Sequence, residues 1–359
     1  MQLLHVISPE ILFRHYVYVS GTSSAMREHL RDYAQTAKLF CPVSDDQLVL
    51  EFGSNDGTLL RYFKDEGNRV LGVDPAENLA KVATASGIHT LPKFFNPETA
   101  LEILNTHGKA KLICANHCCA HIDDFLGVVE GVKILLSETG VWIFEVGYLY
   151  DVYKKSLFDT VYHEHLDFHT LAPLISCFRQ HGLQILHASR HDIQGGALRC
   201  YVGWKDTAPV IEGGTKAVQD LLELETSAGM HMISTFERWN ESIRMSGIEL
   251  RSLLTGLKNA GKRIAAYGAP AKATTLMYHF GITKDDIEFI VDDNPLKQNL
   301  ISPGLHIPVV AASTLYHEQP DYVLILAWNF ADDIMKNHNN FLQDGRRFII
   351  PLPHLRVVG

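Results

Sequence analysis

The feature that most constrains the fold is the run Val49-Leu50-Glu51-Phe52-Gly53-Ser54-Asn55-Asp56-Gly57-Thr58-Leu59-Leu60. It reads as a buried strand, a tight glycine loop and the start of a helix. The stretch from Gln47 to Phe52 is short and apolar and ends at glycine, the pattern of a strand buried in a parallel sheet. From Thr58 onward, Leu59, Leu60 and Phe63 recur at helical spacing, and Gly67 supplies a stop. Gly53 and Gly57 can take backbone angles closed to other residues and let a ligand approach the main chain. The amides at the helix start then face that ligand. A second buried strand, Arg69-Val70-Leu71-Gly72-Val73, runs into Asp74. An acid roughly 20 residues past a glycine loop suits hydrogen bonds to ribose hydroxyls.

The spacing argues against a dinucleotide, whose fingerprint needs G-x-G-x-x-G so that a pyrophosphate can sit on the helix. Here the loop is G-x-x-x-G, with Asn55 and Asp56 inside it. Asp56 would repel a pyrophosphate but could accept from an ammonium or a hydroxyl, and Glu51 adds a carboxylate at the strand end. A cationic ligand carrying a ribose fits better, and S-adenosylmethionine has that chemistry. The competing reading is an ordinary strand-turn-helix with no ligand; Asp74 at the next strand end weighs against it.

Strands and helices continue to alternate. A helix over 76–86 is followed by a strand over 111–116, with His117-Cys118-Cys119-Ala120-His121 at its carboxyl end. A helix over 125–136 leads to a strand over 140–146, and strands over 183–188 and 196–203 flank a loop ending Gln194-Gly195-Gly196. This is the rhythm of a doubly wound α/β sheet, in which ligands sit beyond the carboxyl ends of strands. Upstream, Tyr16-Val17-Tyr18-Val19-Ser20-Gly21 is extended and then turns, and Ser23 or Ser24 can cap a helix over 25–37. Residues 211–260 are helical and amphipathic. A second strand-loop-helix then appears: Arg263–Tyr267, the loop Gly268-Ala269-Pro270-Ala271-Lys272, and a helix. Strands over 287–291, 321–327 and 347–350 complete a smaller Rossmann-like sheet. The expected divisions are an N-terminal cap segment (1–40), an α/β domain carrying the Gly53 loop (41–205), a helical connector (206–260) and a C-terminal nucleotide-binding domain (261–359).

With 359 residues, two domains are the natural expectation. The net charge is −9 without a basic run, so the footprint of a nucleic-acid binder is missing. No apolar stretch reaches about 18 residues, so no membrane span is expected, and Met1–His5 lacks the regions of a signal peptide. The six cysteines include no C-x-x-C pair and fall mostly in apolar runs, which suggests buried free thiols in a cytoplasmic protein.

The densest polar cluster is Tyr162-His163-Glu164-His165, within an aromatic-rich insertion that continues to His169. If extended, it sets Tyr162 and Glu164 on one face and His163 and His165 on the other. A neutral imidazole there could take a proton from carbon beside a carbonyl, with the glutamate orienting it. Alternatively, H-x-H with His169 or His121 could ligate a metal, or the segment could be a polar surface loop. The Gly268–Lys272 loop could cradle phosphate with its amides and the lysine ammonium, with Asp292 or Asn294 holding a ribose or base; it could equally be a tight turn with a surface lysine.

Taken together, YVYVSGTSSAM (16–26), EFGSNDGTLL (51–60), GVDPA (72–76), ANHCCAHI (115–122), YHEHL (162–166), GGALRCYV (195–202), YGAPAKATT (267–275) and VDDNPLKQ (291–298) resemble the sugar C-methyltransferases. These S-adenosylmethionine-dependent enzymes build branched deoxysugars on nucleotide carriers. The resemblance implies a class I methyltransferase sheet and a C-terminal domain gripping the nucleotide diphosphate. It implies that Tyr16, His121, Tyr162, Glu164 and His165 line the sugar pocket. Glu51, Gly53, Ser54, Asn55, Asp56, Gly57, Asp74, Pro75, Asn116 and His117 would hold the cofactor. Gln194, Gly195, Arg199, Gly268, Ala269, Ala271, Lys272, Asp292 and Asn294 would hold the substrate. Family members usually begin with a zinc-binding module carrying paired cysteines, which this sequence does not show, so no metal is expected.

The implied reaction is methylation of carbon, at C3, beside the ketone of a dTDP-linked (or GDP-linked) 4-keto-deoxysugar. His165 acts as base with Glu164, and Tyr162, Tyr16 or His121 supports the enolate oxygen. Oxygen or nitrogen methylation of the same sugars, and an inactive nucleotide-sugar binder, are the alternatives. A nicotinamide oxidoreductase is disfavoured by the missing third glycine and by Asp56.

Overall fold

The computed structural model describes residues 1–359. The chain forms two compact units, one comprising residues 1–151 and 163–231 and the other residues 152–162 and 232–359. The stretch expected as one helical connector is divided. Its helix Gly214–Ser227 packs on the first unit's sheet, while the long helix Ile233–Asn259 belongs to the second unit. Residues 152–162, expected within the methyltransferase-type domain, also group with the second unit.

The first unit is built on seven strands: β1 Leu48–Phe52, β2 Arg69–Val73, β3 Thr90–Leu91, β4 Ala110–Asn116, β5 Leu136–Gly147, β6 Leu183–His191 and β7 Ala197–Trp204. Their spatial order is β3-β2-β1-β4-β5-β7-β6. The first five are parallel, and β7 runs antiparallel to both β5 and β6. Every residue of β1 is buried, as the unbroken apolar run required. The strand order reverses between β1 and β4, so the loops after these two strands frame the crevice where such sheets take ligands. The helix Ser24–Phe40 covers one face. Its N-terminus is capped by Ser23, whose hydroxyl accepts from the Met26 amide at 3.3 Å. The inward stripe of Met26, Leu30, Tyr33, Ala34 and Ala37 follows helical spacing and lands on Val49, Leu112 and Ile143. Tyr33 finds a partner for its buried hydroxyl in the Ile143 carbonyl, 2.7 Å away.

The second unit holds six strands: β8 Ile264–Tyr267, β9 Ile290–Val291, β10 Val309–Val310, β11 Tyr322–Ile325, β12 Arg347–Ile350 and β13 Arg356–Val358, in the order β10-β9-β8-β11-β12-β13. All are parallel except β13. Here the order reverses between β8 and β11. Gly268, with φ of 92°, sits at that point, and a Cβ on it would lie 2.5 Å from the Cβ of Ala327. The loops after β8 and β11 meet so closely that only glycine fits. No helix is long and apolar enough to cross a membrane. All six cysteines are free; four are buried and Cys118 and Cys177 are half-buried.

Candidate active site

The loop after β1 is tied to the end of β2: the amides of Gly53 and Ser54 donate to the Val73 carbonyl at 2.8 and 3.3 Å. Gly53 has φ of 67°, and a Cβ there would fall 2.6 Å from the Cβ of Cys118 in the loop after β4. Both features exclude a side chain. Around this crossing sit three buried polar atoms without a partner: Oε2 of Glu51, Oγ of Ser54 and Oδ1 of Asn116. The other Glu51 oxygen accepts from Asn116 Nδ2 at 3.2 Å. Burial pushes the Glu51 carboxyl well above the usual carboxylate range; Asn116 opposes this, and Asp56 and Asp74 add to it. A buried carboxylate with an idle oxygen calls for a donor, best a cationic one.

Asp74 keeps the position expected for a ribose acid, whereas Asp56 does not stand free for a ligand. Asp74, buried at the end of β2, accepts from the amides of Asn55 at 2.7 Å and Ala76 at 2.9 Å, and the half-buried Pro75 lies between those contacts. A carboxylate carries about four acceptor positions, so ribose hydroxyls can still be served. Asp56 is occupied within the chain. One oxygen accepts from the amide and hydroxyl of Thr58, closing the turn at Gly57, and the other accepts from the Gly21 amide. Asn55, in the left-handed region at φ of 52°, takes the Ser20 amide and donates to the Tyr18 carbonyl. Asn55 and Asp56 thus fasten the N-terminal segment across the glycine loop.

That segment carries Tyr16, whose hydroxyl donates to Oε2 of Glu164 at 3.2 Å. The rings of His121 and His165 lie 5.2 Å apart, and Phe13 stacks on His121 at 5.7 Å. Four of the five residues assigned to catalysis (Tyr16, His121, Glu164 and His165) therefore gather in the first unit; Tyr162 closes the 152–162 stretch of the second. The YHEH segment is a turn rather than an extended run. The amides of Leu166 and Asp167, just past it, donate to the Ala120 carbonyl at 2.8 and 3.1 Å, which brings His165 to His121 while His163 is exposed. The even alternation of faces does not arise. Burial pushes His121 down to about 3, reinforced by its histidine neighbours His165 and His117, so its imidazole is neutral at physiological pH. No three His, Cys, Asp or Glu side chains converge in a metal-ligating arrangement.

Glu145, at the end of β5, has no role assigned from sequence beyond its place at a strand end, yet it draws His29, His117 and Arg199 together. It is fully buried. One oxygen lies 2.7 Å from His29 Nε2 and 3.0 Å from His117 Nε2. The other accepts from Arg199 Nε at 2.8 Å, and the Arg199 guanidinium rests 4.3 Å over the Tyr33 ring. Burial works to raise the Glu145 carboxyl, but His117, His29 and Arg199 together hold it well below the usual range. Arg199, expected to bind substrate, is 1% exposed and taken up in this pair. His117 sits at φ of 51° and donates its amide to the Glu145 carbonyl at 2.8 Å. Strain of this kind, held by surrounding bonds, marks functional backbone. Gln194, at φ of 48° in the turn with Gly195, donates to the Tyr18 hydroxyl at 3.2 Å.

In the second unit, the Ala269 amide donates to Asp292 at 2.8 Å, and Asp292 also takes the Asn294 amide at 2.9 Å. Asp292 is a brace between loops, not the free acceptor expected. The helix following the Gly268 loop begins at Ala271. Lys272 lies 3.4 Å from buried Asp159 and 4.5 Å over the Trp328 ring, and Asp159 takes the Trp328 indole proton at 2.7 Å. Its charge is matched inside the unit instead of standing ready for phosphate.

A doubly wound sheet in the order β3-β2-β1-β4-β5-β7-β6, with β7 antiparallel and a glycine crossing after β1, is a class I methyltransferase fold. A family model described as a methyltransferase domain matches residues 26–188, and one described as a C-methyltransferase C-terminal domain matches residues 192–353. The C-methyltransferase NovU of Streptomyces niveus is 37% identical over 359 residues, covering 100% of this chain and 85% of that protein. Among solved structures, an S-adenosylmethionine-dependent methyltransferase from Anabaena variabilis is 17% identical over 53% of this chain and 88% of its own, with a TM-score of 0.41. Magnesium protoporphyrin IX methyltransferase from Synechocystis with bound S-adenosylmethionine is 12% identical over 49% and 78%, with a TM-score of 0.37. The chain belongs to the family of S-adenosylmethionine-dependent C-methyltransferases.

The residues present fit that cofactor. The unpartnered oxygens of Glu51, Ser54 and Asn116 are of the kind an amino-acid ammonium requires, and Asp74 has acceptor capacity left that could take ribose hydroxyls.

Proposed function

We propose that this C-methyltransferase methylates C3 of a dTDP-linked 4-keto-deoxysugar, in the making of a branched sugar. The observation that carries the reading is the cluster of Tyr16, Glu164, His165 and His121. It combines a base, a carboxylate and two hydrogen-bond donors, the set needed to take a proton from carbon beside a ketone. Glu51, Ser54, Asn116 and Asp74 would hold S-adenosylmethionine, which would supply an electrophilic methyl group on sulfonium.

The chain's own residues prepare the carbon. The ketone makes the neighbouring C–H acidic. An imidazole nitrogen of His165 takes that proton, and the electron pair of the broken bond moves onto the carbonyl oxygen. Glu164 orients His165 and stabilises the imidazolium that forms. As negative charge develops on the oxygen, the Tyr16 hydroxyl turns its one proton from Glu164 to it, and His121 donates a second hydrogen bond. The depressed His121 matters here: a neutral imidazole donates a hydrogen bond through its one N–H without bringing a positive charge into the site. The second unit, with the amides at the start of the helix Ala271–His279, is the part assigned to the nucleotide.

Calorimetric titration with dTDP, GDP and UDP tests the carrier. dTDP is expected to bind at least about tenfold more tightly than GDP, a difference of about 1.4 kcal/mol. Tighter binding of GDP, or no binding of any of the three, would overturn the nucleotide part of this reading.

A further inference from the structure

We propose that Asn78 is a positioning residue for methyl transfer: its side-chain amide grips the backbone of Tyr16 and so sets the phenol against Glu164. The inference rests on the catalytic role given to Tyr16 above.

Asn78 lies in the first turn of the helix Glu77–Ala85, just past the Asp74 loop. Its Oδ1 accepts from the Tyr16 amide at 3.2 Å, and its Nδ2 donates to the Tyr16 carbonyl at 2.8 Å. Both backbone groups of one residue are satisfied by one planar amide, in the way a neighbouring strand would satisfy them. The grip is directional, because rotating the amide breaks both bonds at once. It is also needed: residues 16–18 belong to no helix or strand, so nothing regular fixes their backbone. The neighbouring Glu77 amide donates to the Arg14 carbonyl at 3.2 Å, so residues 14 and 16 both dock on this helix start.

Further along, Asn55 and Asp56 hold Tyr18, Ser20 and Gly21. Those bonds fix the far end of the segment, two to five residues beyond the phenol's own backbone. Asn78 acts on the Tyr16 backbone itself, where a small shift passes directly to the hydroxyl. On the other side Phe13 meets the Tyr16 ring edge-on at 5.7 Å and stacks on His121. Holding Tyr16 therefore also fixes the aromatic contact behind the second donor. Because the helix carrying Asn78 starts where Asp74 closes on Ala76, the clamp also links the cofactor's acid loop to the donor for the developing oxyanion.

The test combines hydrogen exchange with a mutant cycle. Asn78→Ala is expected to raise amide exchange across residues 13–21 by about tenfold or more, an arm that needs no substrate. With the dTDP-linked 4-keto sugar, kcat should fall about 10- to 100-fold, since misplacing a reacting group by ~1 Å costs about that much. The KM for the sugar and the calorimetric Kd for S-adenosylmethionine should stay within about threefold, because the lost contact acts on the reacting centre. Asn78→Asp keeps the acceptor but turns an oxygen toward the Tyr16 carbonyl, and should behave like the alanine variant. Asn78→Ala placed on Tyr16→Phe should add little to the loss from Tyr16→Phe alone, as expected for two residues acting through one group. Unchanged exchange in Asn78→Ala would overturn the clamp. Faster exchange with wild-type kcat, or losses that simply multiply, would overturn its positioning role. Wild-type turnover by Tyr16→Phe would instead overturn the role given to Tyr16, and the catalytic half of this proposal with it.

Discussion

His165→Ala is expected to bind S-adenosylmethionine normally and to lose turnover by about 10²- to 10⁴-fold, the usual contribution of a positioned acid or base. That corresponds to about 3–5.5 kcal/mol of transition-state stabilisation at about 1.36 kcal/mol per tenfold. The acceptors proposed for the cofactor lie at the ends of β1, β2 and β4, in Glu51, Asp74 and Asn116. His165 instead sits in a turn anchored to Ala120, with His121 and Phe168 around it. Removing the imidazole therefore should not disturb the cofactor's contacts. Comparison of kcat with the calorimetric Kd checks this. A variant near the wild-type rate removes His165 from the base role, and a matching loss of cofactor affinity makes it a structural residue.

Arg199→Met is expected to cost about 3–5 kcal/mol of stability, because it leaves the Glu145 carboxylate buried without the one partner that is always charged. Glu145 and Arg199 face each other directly across β5 and β7 and are both almost fully buried, so solvent cannot take over for the lost cation. The pH dependence follows from the same carboxyl. Its folded value is held well below the unfolded one, so the stabilisation is present above about pH 4.3 and is lost as pH falls through the folded value. In Arg199→Met that depression shrinks, and acid unfolding should start at higher pH than in the wild type. Glu145→Gln combined with Arg199→Met should be less destabilised than the sum of the two single variants. Urea melts between pH 3 and 7 measure all three. Equal stability of wild type and Arg199→Met across that range would show that the pair contributes nothing.

Local chemistry made the first half of the fold legible. The strand-glycine-helix at Leu48–Lys64 follows from burial, backbone freedom and spacing within a few residues, and the acid at Asp74 follows from the next strand. The short strands β3, β10 and β13, each of two or three residues, leave no such pattern. The misplaced roles share a cause. Asp56 and Asn55 look like ligand contacts because they sit in the loop, but their partners are 35 to 37 residues away in a segment with no periodic signal. Lys272 looks free until Asp159, over a hundred residues upstream, is beside it. Glu145 carries a legible signal, a carboxylate at a strand end, but its pairings do not. His29 and Asn78 have none, since each gains its meaning only from a contact across the tertiary fold.

The most direct measurement is exchange of the C3 hydrogen with solvent. The wild-type enzyme, incubated in deuterium oxide with the dTDP-linked 4-keto sugar and no methyl donor, is predicted to replace that hydrogen by deuterium, while His165→Ala does so no faster than buffer. Methyl transfer to carbon by the wild type without such exchange, or undiminished exchange in His165→Ala, would contradict base-assisted enolate formation at this site.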